Sequence, residues 1–217
     1  MNISRNPRLR VKQQVEYAQR ALELNIGHMG ILLYTLNRYF PQRFSRPVCR
    51  DFFGEYTHTV EQFGDDEEAR DYMIEQQLKE MPWLSWEIAE RLVRHFGERA
   101  ETPLDKAIYA DNGFLPLLSL NLIMMLIQLH SDYSFARVRM ERLTDAMLTT
   151  DYPEPIAWLE SIDIHLSADD DSAYELIKKL DRKEKPVATV REQLDARREL
   201  EALRAYQNEM TGGINNG

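Results

Sequence analysis

The chain has 217 residues, of which 43% are hydrophobic and 29% charged, and its net charge is −9. That length admits one large or two small domains with a substantial core. The single cysteine, Cys49, excludes an internal disulfide framework, and the scarcity of Gly and Pro, nine of each, leaves no obvious linker.

In chain order, the opening MNISRNPRLR has no apolar signal core, so the expectation is a cytoplasmic chain without an export signal. Residues 8–24 read as an amphipathic helix with Leu9, Val11, Val15, Ala18 and Leu22 near one face. Gly27 and Gly30 interrupt it, and Ile31–Phe40 forms a second helix ended by Pro41. Ser45 opens a helix to about Gly64, Asp65-Asp66 cap one through Met81, and Ser85 starts one that stops at Gly97. Thr102-Pro103 begin a short helix that ends at Asn112-Gly113. Then comes Leu117–Leu129, in which all positions but Ser119, Asn121 and Gln128 are apolar. A helix apolar nearly all round is buried, and this one is too short and too rich in amides for a bilayer, so it is the expected central helix. Ser134 opens a helix to about Leu148, followed by short helices at 155–166 and 170–180 and a long charged one to about Met210. No stretch alternates with period two, so strands are not expected.

The predicted fold is therefore all-α: a helical body over 1–182 around a buried central helix, a charged C-terminal helix over 183–210, and a flexible tail at 211–217. The charge is split within that body. Residues 1–50 hold nine Lys/Arg against Glu16 and Glu23, a net +7, which leaves −16 for the remainder of a chain whose total is −9. Such asymmetry informs on partners rather than on fold.

Two constellations follow from it. The basic patch is Arg38, Arg43, Arg46 and Arg50, interleaved with Tyr39, Phe40 and Phe44 and extended upstream by Arg5, Arg8, Arg10 and Lys12. Guanidinium groups neutralise phosphates and aromatic faces stack on bases, so this composition suits DNA or RNA; its structural alternative is aromatic core with solvated arginines. The acidic face is Asp65, Asp66, Glu67, Glu68, Asp71 and Glu75. A helix of carboxylates imitates a phosphate backbone and can occupy a basic cleft, although acids at a helix N-terminus also simply complement its dipole.

Catalytic and metal signatures are weak. Glu55–His58 is a single ExxH pair where a di-metal bundle needs two, Asp169–Asp171 lacks the remaining ligands of a calcium loop, and Cys49 has no argued histidine partner. No cofactor, metal or enzymatic activity is expected. Met81–Gly97 resembles the second half of a helix-hairpin-helix unit through Pro82, Leu84, Ala89, Leu92, Phe96 and Gly97. Trp83 and Ser85 replace the glycines that approach the phosphate, so the stretch reads as an amphipathic helix with a glycine cap.

Leu129–Leu143, LHSDYSFARVRMERL, resembles a short pattern in small uncharacterised proteins of phages and prophages of Gram-positive bacteria. That pattern is Leu-His, an aromatic-Gly-Phe-Gly turn, then Arg-Leu-x-Arg. Leu129, His130, Tyr133, Phe135, Arg139, Glu141 and Arg142 fit it, while Ser134, Ala136 and Met140 depart, and Trp158–Leu166 has a loosely similar ending. The resemblance implies a mobile-element origin and no assigned activity. With the acidic body, it suggests a non-enzymatic regulator that inhibits a host complex acting on nucleic acid, in the manner of anti-restriction or anti-CRISPR proteins. The alternatives are direct nucleic-acid binding in phage replication or recombination, and self-assembly into a homo-oligomer in which the basic segment of one copy meets the acidic body of the next. No membrane partner is expected.

Overall fold

A computed structural model describes residues 7–63, 66–111 and 114–166, with side chains from residue 13 onward. The expected helices at 170–180 and 183–210 and the tail at 211–217 lie outside the described residues. Within them the chain forms eight helices and no strand. They are α1 (Pro7–Tyr39), α2 (Arg46–Phe63), α3 (Glu67–Glu80), α4 (Trp86–Glu98), α5 (Pro103–Tyr109), α6 (Leu115–Tyr133), α7 (Arg137–Thr149) and α8 (Pro155–Glu160).

The apolar run becomes α6, which packs against α1, α3 and α4. By length and composition it is the one described helix that could cross a membrane, but Leu118, Leu122 and every residue from Ile123 to Leu129 are buried inside the fold. Burying the eight apolar side chains among its buried residues contributes on the order of 10–25 kcal/mol gross, before conformational entropy is subtracted. The three polar residues of its Leu117–Leu129 segment are distributed as helical spacing requires. Ser119 is buried, while on another face Asn121 accepts a 2.6 Å hydrogen bond from the Tyr56 hydroxyl, and Gln128 lies two turns further on.

α1 shares the centre with α6. It is a single helix of 33 residues, uninterrupted at Gly27 and Gly30, and it packs against α2, α5, α6, α7 and α8. The expected break fails because tertiary packing outweighs the roughly 1 kcal/mol that an interior glycine costs a helix. Gly30 has a packing reason: a Cβ there would lie 2.8 Å from the Pro155 carbonyl oxygen, so its absence lets α8 seat against α1. α4 stops at Glu98, one residue past the expected Gly97, which has a packing reason of its own. A Cβ on Gly97 would lie 2.8 Å from Tyr109.

Polar pairs fix α1 against α5. Arg20 donates to both oxygens of Asp105 at 2.6 and 3.0 Å, while Asp105 also donates its backbone N–H to the capping Thr102 hydroxyl. His28, fully enclosed, stacks on Phe96 at 4.8 Å and lies 2.7 Å from the Tyr109 hydroxyl. Burial lowers the His28 pKa from 6.5 to about 3, so the imidazole is neutral near pH 7.

Local caps account for other boundaries. The Asp66 carboxylate accepts from the Ala69 N–H and starts α3, and Glu154 does the same for α8 from Ala157. Ser134, expected to open a helix, instead closes α6. It takes the left-handed conformation at φ 55°, and Phe135 N–H then donates back to the Leu129 carbonyl at 3.0 Å. α7 begins three residues later, at Arg137.

Candidate nucleic-acid interface

The turn after α1 and the turn after α6 meet through aromatic side chains. Phe40 packs on Phe135 with centroids 5.0 Å apart, and Phe44 packs on Tyr133 and Phe135 at 5.2 and 5.5 Å. Phe44 and Phe135 are fully buried. The aromatics of the basic segment are thus largely core, and their role is to bring two arginine-bearing segments together.

On this scaffold Arg43 Nη1 donates to the Tyr133 carbonyl at 3.2 Å and Arg139 Nη1 donates to the Ser134 carbonyl at 2.8 Å. The Arg142 guanidinium lies over the Phe40 ring at 5.9 Å. Arg38 donates to the Tyr34 hydroxyl at 2.8 Å and lies 5.9 Å from the ring of Tyr39, itself 44% exposed. Arg46 and Arg137 are the first residues of α2 and α7, and neither helix has an acid in its first turn. The positive ends of those two helix dipoles are therefore not offset by local carboxylates.

Ion pairing divides the arginines. Arg50 pairs with Asp163 at 3.4 Å and Arg137 with Glu141 at 2.7 Å. Arg38, Arg43, Arg46, Arg139 and Arg142 form no ion pair with any described carboxylate. Each engaged guanidinium uses only part of its fork of five donors, and the remainder can serve an anion. Glu55 stands at the rim, accepting from the Tyr133 hydroxyl at 2.9 Å; burial first, then this carboxylate, pushes the Tyr133 pKa up.

Three of the upstream basic residues do not extend this face. Arg8, Arg10 and Lys12 lie in the first turns of α1, and at 1.5 Å per residue the continuous helix puts Arg10 roughly 40 Å from Arg38. Arg5 lies outside the described residues. Arg139 and Arg142 join the face from outside the basic segment 1–50. The signal available was the Arg-x-x-Arg spacing within the resemblance.

The acidic face is less exposed than its composition implies. Asp71 and Glu75 are buried, at 8% and 3% exposure; Arg70 pairs with the first at 3.1 Å and Lys79 with the second at 3.5 Å. Asp66 is committed to its cap, Glu67 is half-buried, Glu68 is exposed, and Asp65 lies outside the described residues.

No group of three or more metal-ligating side chains occurs among the described residues. His58 of the ExxH pair lies 3.1 Å from Gln62. Cys49 is buried, and burial pushes its thiol up to about 12, away from the range of a reactive thiolate.

No family model, curated protein or solved structure matches this chain. The short phage-like pattern therefore bears on the site only through its residues. Ser134 stands where that pattern has glycine, and it adopts the left-handed backbone that glycine adopts most readily.

Proposed function

We propose that this chain is a non-enzymatic nucleic-acid-binding protein of the cytoplasm, which holds the phosphates of a single strand on the arginine face. The observation that carries the reading is that five arginines from α1, α2, α7 and the first turn gather at one end without an ion-pair partner among the described carboxylates. Exposed Tyr39 supplies an aromatic surface beside Arg38 on which a base can stack. The competing reading, an inhibitor that mimics nucleic acid through α3, has less to work with, because two of its six carboxylates face inward.

The test is fluorescence anisotropy with labelled single-stranded and duplex oligonucleotides across a salt series. Binding should weaken steeply with salt. Each phosphate contact contributes a slope of about −0.7 for a single strand, so the double variant Arg43→Ala, Arg139→Ala should flatten the slope by about 1.4. Absence of binding at low salt, or a slope unchanged in the double variant, rejects the arginine face.

A further inference from the structure

Tyr39 and Tyr72 are the exposed aromatic side chains among the described residues, and Tyr72 belongs to α3. Tyr39 is therefore the exposed ring of the arginine face, and it is tethered. Its hydroxyl shares a 2.7 Å hydrogen bond with the Thr150 hydroxyl, 111 residues further along the chain. The bond joins the last residue of α1 to the residue that closes α7.

Thr150 is itself a fixed point. It is buried, its N–H donates to the Ala146 carbonyl at 2.9 Å, and its carbonyl accepts from Arg99 Nη1 at 3.3 Å. Both backbone groups hold the residue in place, and its hydroxyl reaches out to Tyr39. Beside the ring, the Arg38 guanidinium at 5.9 Å is in turn tied to the Tyr34 hydroxyl. An exposed tyrosine without a tether samples several rotamers, and stacking a base on it costs the ordering of that side chain. A ring already held by its hydroxyl presents its open surface in one orientation, and the ordering is completed on folding. A bond that served only to staple the two helices would not need an exposed ring, and α1 and α7 already pack on each other directly.

We infer that Thr150 is a positioning residue that orients the Tyr39 ring for a base of the bound strand. The inference rests on the proposed nucleic-acid function, and the experiment separates the two. Anisotropy is measured on the full chain with two labelled single strands of equal length, one carrying bases and one abasic throughout. The base-bearing strand should bind at least about fivefold more tightly, and Tyr39→Ala should remove that advantage. Thr150→Val keeps the shape of the side chain and loses its hydroxyl. It should cut the advantage about twofold or more, with the salt slope and the affinity for the abasic strand unchanged. Thr150→Ser, which keeps the hydroxyl, should retain the advantage. Tyr39→Phe breaks the same bond from the other side, so it should match Thr150→Val, and the two together should lose no more than either alone. Tyr39→Phe, at an exposed position, decides the matter if Thr150→Val does not fold. An advantage that survives Thr150→Val and Tyr39→Phe, the same loss in Thr150→Ser, an equal loss on both strands, or no advantage in the unaltered protein overturns the positioning role and leaves the arginine face standing. Failure of both strands to bind overturns the nucleic-acid reading and the positioning role with it.

Discussion

Arg43 and Arg139, nearly a hundred residues apart in the chain, donate to consecutive carbonyls, those of Tyr133 and Ser134. Two guanidinium groups are thereby held side by side at the negative end of the α6 dipole, where cations are favoured. Ordinary helix capping and an anion-binding face coincide here, because a guanidinium that satisfies a carbonyl with one N–H keeps others for a ligand. The carbonyls fix the position of the charges, and the unpaired donors remain available.

Removing either arginine should therefore affect binding more than folding. Both side chains reach solvent, so Arg43→Ala or Arg139→Ala should cost no more than about 1 kcal/mol of stability. Arg50→Ala and Arg137→Ala, whose charges are already partly offset by Asp163 and Glu141, should weaken oligonucleotide binding less than Arg43→Ala. Thermal melts and anisotropy on the four variants check both statements. Equal losses across all four would show that ion pairing does not divide the face.

The glycines of α1 should respond in opposite directions. Gly27 has no atom within 4 Å of an added Cβ, so Gly27→Ala should gain about 0.5–1 kcal/mol from helix propensity. That corresponds to a rise in Tm of roughly 1–4 °C. Gly30→Ala drives a Cβ to 2.8 Å from the Pro155 carbonyl and should lose about 1–3 kcal/mol as α8 is pushed away. Calorimetry on the pair gives the signs directly.

Acid should destabilise the fold before carboxylate protonation dominates. The His28 pKa falls from 6.5 to about 3 on folding because burial disfavours the imidazolium. The unfolded chain then binds the extra proton, so this contribution is complete above pH 6.5 and is lost as pH falls toward 3. Within that window the slope from one group approaches about 1.4 kcal/mol per pH unit. Asp105 adds to it at lower pH: the hydrogen bonds from Arg20 hold its carboxyl below the ordinary value, so its contribution is present above that value and disappears as pH falls below it. Urea titrations from pH 7 to 4 should show the decline, and His28→Gln should flatten its upper part even if the variant is less stable throughout.

Ser134 holds a left-handed backbone at φ 55° without being glycine. Ser134→Gly should remove that strain and gain about 0.5–1 kcal/mol. Oligonucleotide affinity should be unchanged, since only the Ser134 carbonyl, which glycine keeps, meets Arg139. A lower Tm would mean that the hydroxyl contributes more than the backbone costs.

The sequence alone determined those features whose cause is local. Leu117–Leu129 is apolar around nearly its whole circumference, so its burial at the centre follows from composition. Thr102 and Asp66 cap helices because a side-chain oxygen needs to reach only three residues ahead. The Arg38–Arg50 cluster is contiguous in the chain and needs no fold to exist. Tertiary structure decided whatever depends on a distant partner. Gly27 and Gly30 read as breakers until α8 is seen resting on Gly30. Asp71 and Glu75 read as a solvent face until Arg70, Lys79 and the packing of α3 on α6 enclose them. Arg139 and Arg142 belong to the basic face only because Phe40 and Phe44 dock on Phe135, a contact between segments about ninety residues apart. Helical periodicity records that a face is buried; it carries no record of what buries it, and at both candidate surfaces that partner sets which charges remain outside.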